Sequence, residues 1–287
     1  MADIDRELQL PGHGRIRVRD IPGPSPDAPV VVLLHGLGAT ARLNWGPSFR
    51  PLSQHFRVVA PDHRGHGGVL RTRRFRLSQC ADDVVAVADA LGIERFVAVG
   101  YSMGGPVAKL IWRRHPERVI GLVLCATARH FTSRGISRAS RAFLPVAAGM
   151  ARLAPTRTHR RMLEGMLGRV EHPEMRRRVL EELGGHDPAT LIQAAGRVAA
   201  FTSHEWIGGV DVPVAIVVTT RDTVVPPVRQ RKLAEAIPGA EVFEVDGDHV
   251  ACVAAAEAFV PALVAACRRV AGTEDVPVGL NGVPETP

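Results

Sequence analysis

The chain has 287 residues, 46% of them hydrophobic, enough for one large domain or a domain that carries a smaller insertion. Basic side chains outnumber acidic ones 36 to 29, for a formal net charge of +7, yet Lys109 and Lys232 are the only lysines. The arginines scatter, with short groups at 71–76, 157–161 and 176–178, so the charge reads as solvated surface and argues against a nucleic-acid partner.

The first ten residues, MADIDRELQL, are charged from the third position and lack the apolar run of a signal peptide. The segment before Pro29 predicts a peripheral antiparallel hairpin turning at Pro11-Gly12-His13-Gly14. Continuous apolar runs at 29–34, 56–60, 96–99 and 121–124 predict strands buried on both faces of a parallel sheet. Helical patterns at 80–91 and 107–114 lie between them. Beyond Thr127 the alternation stops until Val212. Helical patterns fill the gap at 136–153, 160–167, 173–183 and 187–201, the last with Asp187 as N-cap and Pro188 at the first helical position. Strand, helix, strand and helix then return at 214–218, 228–236, 241–245 and 254–270. The apolar stretch 252–267 is broken by Glu257 and Pro261 and is too short to span a bilayer. The four cysteines, Cys80, Cys125, Cys252 and Cys267, have no C-x-x-C spacing and read as small core residues of a reducing compartment. A cytoplasmic chain without a transmembrane segment is expected; peripheral membrane contact and oligomeric state stay open. The fold class that follows is α/β, a mostly parallel sheet flanked by helices with an inserted helical cap. The core spans 1–127 and 209–271, the cap 128–208 and a flexible tail 272–287.

The chemistry gathers at Gly100-Tyr101-Ser102-Met103-Gly104, a G-x-S-x-G turn between a strand and a helix. A serine hydroxyl needs a base to take its proton and a carboxylate to orient that base. Asp222 follows the strand at 214–218 and His249 follows the strand at 241–245, in the order that a serine elbow requires. Asp246 and Asp248 compete for the acid role but lie too close to His249 in the chain. The oxyanion needs backbone N–H donors, and the Met103 amide and the Leu37 amide of the turn His35-Gly36-Leu37-Gly38 are the candidates. His35 is read as a hydrogen-bonding support of that turn. Asp62-His63-Arg64-Gly65-His66-Gly67 reads as a structural turn and not as a metal site, since no further ligands accompany it. Gly36-Leu37-Gly38-Ala39-Thr40-Ala41 also fits a dinucleotide fingerprint with Asp62 as its acid. That reading is refused because Asn44-Trp45-Gly46-Pro47 should interrupt the helix it requires.

These motifs, HGLGAT, PDHRGHG, GYSMGG, TTRD and GDH, run from His35 to His249, and through them the chain resembles the α/β-hydrolase superfamily. The resemblance implies a serine hydrolase that cleaves a small-molecule carboxylic ester or related acyl compound through an acyl-enzyme, with no cofactor and no metal. Ser102 would be the nucleophile, His249 the base and Asp222 its orienting acid. Cofactor-free perhydrolase or haloperoxidase chemistry, carbon–carbon bond hydrolysis, and a ligand-binding or receptor-like homologue with little turnover are the alternatives. Trp45 and Tyr101, beside the predicted loops, are candidate pocket walls. Phe143, Leu144, Val146, Met150 and Leu153 of the cap are apolar positions that pack on the core or line an acyl pocket.

Overall fold

A computed structural model describes residues 4–70, 72–131 and 186–273. Its frame is an eight-stranded sheet in the order β1-β2-β4-β3-β5-β6-β7-β8. The hairpin β1 (Ile4–Leu10) and β2 (Gly14–Ile21) forms as expected. It is more than peripheral, since β2 pairs antiparallel with β4 (Arg57–Pro61) and so extends the main sheet. The remaining strands are parallel: β3 (Val30–Leu34), β5 (Phe96–Tyr101), β6 (Val119–Cys125), β7 (Val214–Thr219) and β8 (Glu241–Val245).

Alternation along each central strand feeds two cores, because successive side chains point to opposite faces. Val32, Leu34, Phe96, Ala98, Leu122, Leu124 and Ile216 join one cluster, where α2 (Leu77–Ala90) and α3 (Gly104–Arg114) pack. Val31, Leu33, Val97, Val99, Val123 and Val217 join the other, beneath α1 (Ala41–Ser53) and the C-terminal helix. Among the described residues four further α-helices follow: α4 (Pro188–Ala200), α5 (Pro227–Ala234), α6 (Ala251–Ala254) and α7 (Ala256–Ala271). Asp187 caps α4 as expected, accepting the Ala189 amide at 3.1 Å, with Pro188 first in the helix. The expected helix at 254–270 is two pieces, broken at Ala255, and Gly272 ends it in the left-handed region at φ 66. All four cysteines are free and buried.

One expectation is corrected. Asn44-Trp45-Gly46-Pro47 does not interrupt a helix: α1 opens right after the glycine turn and contains both Pro47 and Pro51. Each proline removes one backbone donor, but Thr40 caps the helix, and buried Trp45, Phe49 and Leu52 hold it to the sheet. Asp62, which in a dinucleotide site would have to face a ribose, is buried and accepts the Ala41 amide at 2.8 Å.

The expected cap helices at 136–153, 160–167 and 173–183, with Phe143, Leu144, Val146, Met150 and Leu153, lie outside the described residues, as does the tail from 274. The chain segments that flank them are joined. His130 bridges Thr202, and the Ser203 amide donates to the Arg129 carbonyl at 2.9 Å. Among the described residues no helix is long and apolar enough to cross a membrane.

Candidate active site

The elbow between β5 and α3 explains its own glycines. Ser102 sits at φ 50, a left-handed conformation that non-glycine residues rarely adopt. A Cβ on Gly100 would meet the Gly104 carbonyl oxygen at 2.3 Å, and one on Gly104 would meet the Leu34 carbonyl oxygen at 2.1 Å. Any side chain there would push the turn open. The strained serine is held by the Cys125 carbonyl, which accepts its amide at 2.9 Å, and by Thr127 Oγ1, which donates to its carbonyl at 2.9 Å.

The turn presents Ser102 Oγ 2.9 Å from His249 Nε2, and His249 Nδ1 lies 2.7 Å from Asp222 Oδ2. An ionised carboxylate only accepts, so Nδ1 carries the proton and Nε2 is left to accept from the serine hydroxyl. Residues 102, 222 and 249 thus meet from three different strand ends. Asp246 pairs with Arg221 at 2.7 Å, and Asp248 accepts the Val250 amide at 2.9 Å, so neither competing carboxylate contacts the imidazole.

Asp222 has a fully buried side chain. Its Oδ1 accepts the Val224 and Val225 amides, each at 2.8 Å; its Oδ2 accepts Thr219 Oγ1 at 2.9 Å and Gln230 Nε2 at 3.2 Å in addition to the histidine. Burial alone would raise its pKa, but the hydrogen bond and charge of His249, with the Val225 amide and Thr219 hydroxyl, outweigh it and hold the carboxyl below its ordinary range. Gln230 and Thr219 have no sequence signature; only folding brings α5 against the end of β7.

The turn after β3 sits against Ser102, with the Cβ position of Gly36 3.5 Å from Ser102 Cβ. Neither the Leu37 nor the Met103 amide has a hydrogen-bond partner among the described residues. His35 supports this turn: its Nδ1 donates to the Gly36 carbonyl at 2.8 Å and its Nε2 accepts the His63 amide at 2.9 Å. Burial, reinforced by nearby His63 and His66, pushes its pKa well below the usual value, so it stays neutral and keeps both bonds. The turn 62–67 is structural: a Cβ on Gly67 would meet Asp62 Oδ2 at 2.2 Å, and Arg64 holds buried Asp83 through two hydrogen bonds. Among the described residues no group of three acidic, histidine or cysteine side chains is arranged to hold a metal.

Trp45 and Tyr101 approach the site from behind. Trp45 has 0% and Tyr101 2% of its surface exposed, so neither ring presents an open face. They meet edge to face at 5.9 Å, and the Tyr101 hydroxyl donates to the His249 carbonyl at 3.0 Å. Leu37, Val224 and Val250 are exposed large apolar side chains in the segments that follow β3, β7 and β8.

Residues 29–256 match the family model described as alpha/beta hydrolase fold. The chain belongs to the α/β-hydrolase family. A provisionally named carbamate hydrolase, RutD, of Agrobacterium fabrum is 30% identical to this α/β-hydrolase over 259 residues, covering 81% of this chain and 90% of that one. Epoxide hydrolase B of Mycobacterium tuberculosis is 34% identical over 140 residues, 47% of this chain and 38% of that one. Among solved structures, the enol-lactonase of Burkholderia xenovorans superposes with a TM-score of 0.78 at 26% identity, covering 91% of this α/β-hydrolase and 98% of that chain.

Proposed function

We propose that this α/β-hydrolase cleaves a carboxylic ester, or a related acyl compound, through a serine acyl-enzyme. The contacts that carry the reading are the 2.9 Å from Ser102 Oγ to His249 Nε2 and the 2.7 Å from His249 Nδ1 to Asp222 Oδ2. Ser102 Oγ attacks the acyl carbon as Nε2 takes its proton. The Leu37 and Met103 amides receive the oxyanion. Nε2 then returns the proton to the leaving alcohol, and water activated at the same nitrogen cleaves the acyl-enzyme. Asp222 keeps Nδ1 protonated and stabilises the imidazolium.

The relatives named for carbamate and lactone hydrolysis fit this chemistry, since both substrates present a carbonyl carbon to a nucleophile. The exposed apolar residues Leu37, Val224 and Val250 favour an apolar substituent on the substrate. The chain is taken to work in the cytoplasm, on a small molecule and without a cofactor.

The test is labelling of the purified protein with a fluorophosphonate probe, followed by turnover of matched p-nitrophenyl ester, lactone and carbamate substrates. Labelling and turnover are expected, and both should vanish in Ser102→Ala. A folded protein that resists the probe would sink the reading.

A further inference from the structure

The serine mechanism leaves several buried polar groups without a task. Asn44, on the first turn of α1, is buried; its Oδ1 accepts the Gly36 amide at 2.9 Å, while its Nδ2 is buried with no partner. An amide donor left unpaired inside a protein destabilises it, and a leucine, with the same branched shape, would avoid that penalty. The carbonyl of Asn44 must therefore do something that an apolar side chain cannot.

Its effect lies in the geometry of Gly36. The Gly36 N–H belongs to the peptide plane before this residue, and the Gly36 carbonyl shares the next plane with the Leu37 N–H. Asn44 fixes the first plane through the amide, and His35 fixes the second through the carbonyl at 2.8 Å. With both planes held, the Leu37 N–H is held too, directed away from the Gly36 carbonyl. The Cβ position of Gly36 lies 3.5 Å from both Asn44 Oδ1 and Ser102 Cβ, so this peptide is wedged between the asparagine and the nucleophile. Asn44 is itself anchored, since its backbone N–H donates to the Thr40 carbonyl at 3.0 Å and Thr40 caps α1.

We propose that Asn44 is a positioning residue that, together with His35, presets the oxyanion turn by holding the Gly36 N–H. The inference rests on the serine-hydrolase reading above. It requires that Asn44 act on the transition state and not on substrate binding, because the aimed donor matters only once the carbonyl oxygen gains charge.

Asn44→Leu tests it. The expected result is a kcat lowered about 10- to 100-fold with KM within about threefold of the native value. Affinity for phenylboronic acid, a tetrahedral mimic on the serine, should fall by the same factor as kcat/KM, while the thermal midpoint stays within a few degrees. Native kcat, or a kcat loss without the matching loss of boronate affinity, overturns the proposal. Should Asn44→Leu not fold, Asn44→Asp keeps an acceptor for Gly36 but sets a carboxylate beside the developing oxyanion. Its kcat relative to native should then decline as pH rises and the carboxylate ionises; a ratio independent of pH overturns the proposal. Ser102→Ala, run in parallel, separates the two readings. If it retains turnover, the nucleophile assignment fails; if only it is inactive and Asn44→Leu is native-like, the positioning role alone fails.

Discussion

Asp222, the orienting acid of the proposed mechanism, has partners on every side. Both oxygens are occupied, by two amides on one side and by a hydroxyl, an amide group and the imidazole on the other. Asp222→Asn keeps the volume but offers the imidazole an NH2 or a weaker acceptor, which favours the wrong tautomer. Turnover should fall by about 10³- to 10⁴-fold while the circular dichroism spectrum and thermal midpoint stay close to native. Near-native turnover would mean that another group orients His249. The same carboxylate is lowered in pKa by its partners, so the stability it contributes is present above the ordinary carboxylate range and lost as pH falls below it. Ser102, Asp222 and His249 were legible before folding because each follows an apolar run in an order that few other chemistries need. Asn44, Thr219 and Gln230 were not, since a buried acceptor and a helical glutamine carry no local signature.

At the scale of elements, four imidazoles tie the loops after β3 and β4 to the segment that enters α4. His35 and His63 rings are 4.4 Å apart, His35 and His66 5.1 Å, and His66 and His186 5.2 Å, while His186 Nε2 reaches the Ala39 carbonyl at 3.3 Å. His63 is buried, and that burial pushes its pKa down to about 4. In the unfolded chain it would titrate near 6.5. Above that pH both states are neutral and the group is silent. Between 6.5 and 4 the unfolded state takes up a proton that the folded state refuses, so stability falls with pH. The loss reaches about 3 kcal/mol for this residue by pH 4. Denaturant titrations from pH 7 to 4 should show the decline, with a shallower slope for His63→Leu; equal slopes would remove His63 as its source. Pro47 and Gly46 of α1 read locally as a break, and burial of Trp45, Phe49 and Leu52 overrode them.

At the scale of the whole molecule, Lys109 ties the described ends of the chain between β6 and β7 to α3. This lysine of α3 is fully buried, donates from Nζ to the Ala128 carbonyl at 2.7 Å and lies 4.8 Å from the centre of the Phe201 ring. It therefore touches both the segment that leaves the core and the one that returns. Burial pushes its pKa down to about 7. The cost of holding it is full below pH 7, where the folded state must keep a buried charge, and fades as pH rises toward 10.5, the value in the unfolded chain. Lys109→Met removes that cost and leaves the Ala128 carbonyl unpaired. A net gain of about 1–3 kcal/mol at pH 6 is expected, and a smaller one at pH 9. Unfolding midpoints of the pair at both pH values check it, and a gain that does not change with pH would point to packing instead.

Period and order along the chain determined the α/β class, the buried parallel strands, the elbow serine and the order of its partners, because these depend on local backbone geometry and on which face a residue presents. Folding alone revealed that Thr219 and Gln230 hold Asp222, that β2 extends the main sheet, that Trp45 and Tyr101 stand behind the site, and that Asn44 and His35 hold the two peptide groups on either side of Gly36. Those outcomes depend on contacts between elements far apart in the chain. A contact of that kind leaves no mark on the sequence near either partner.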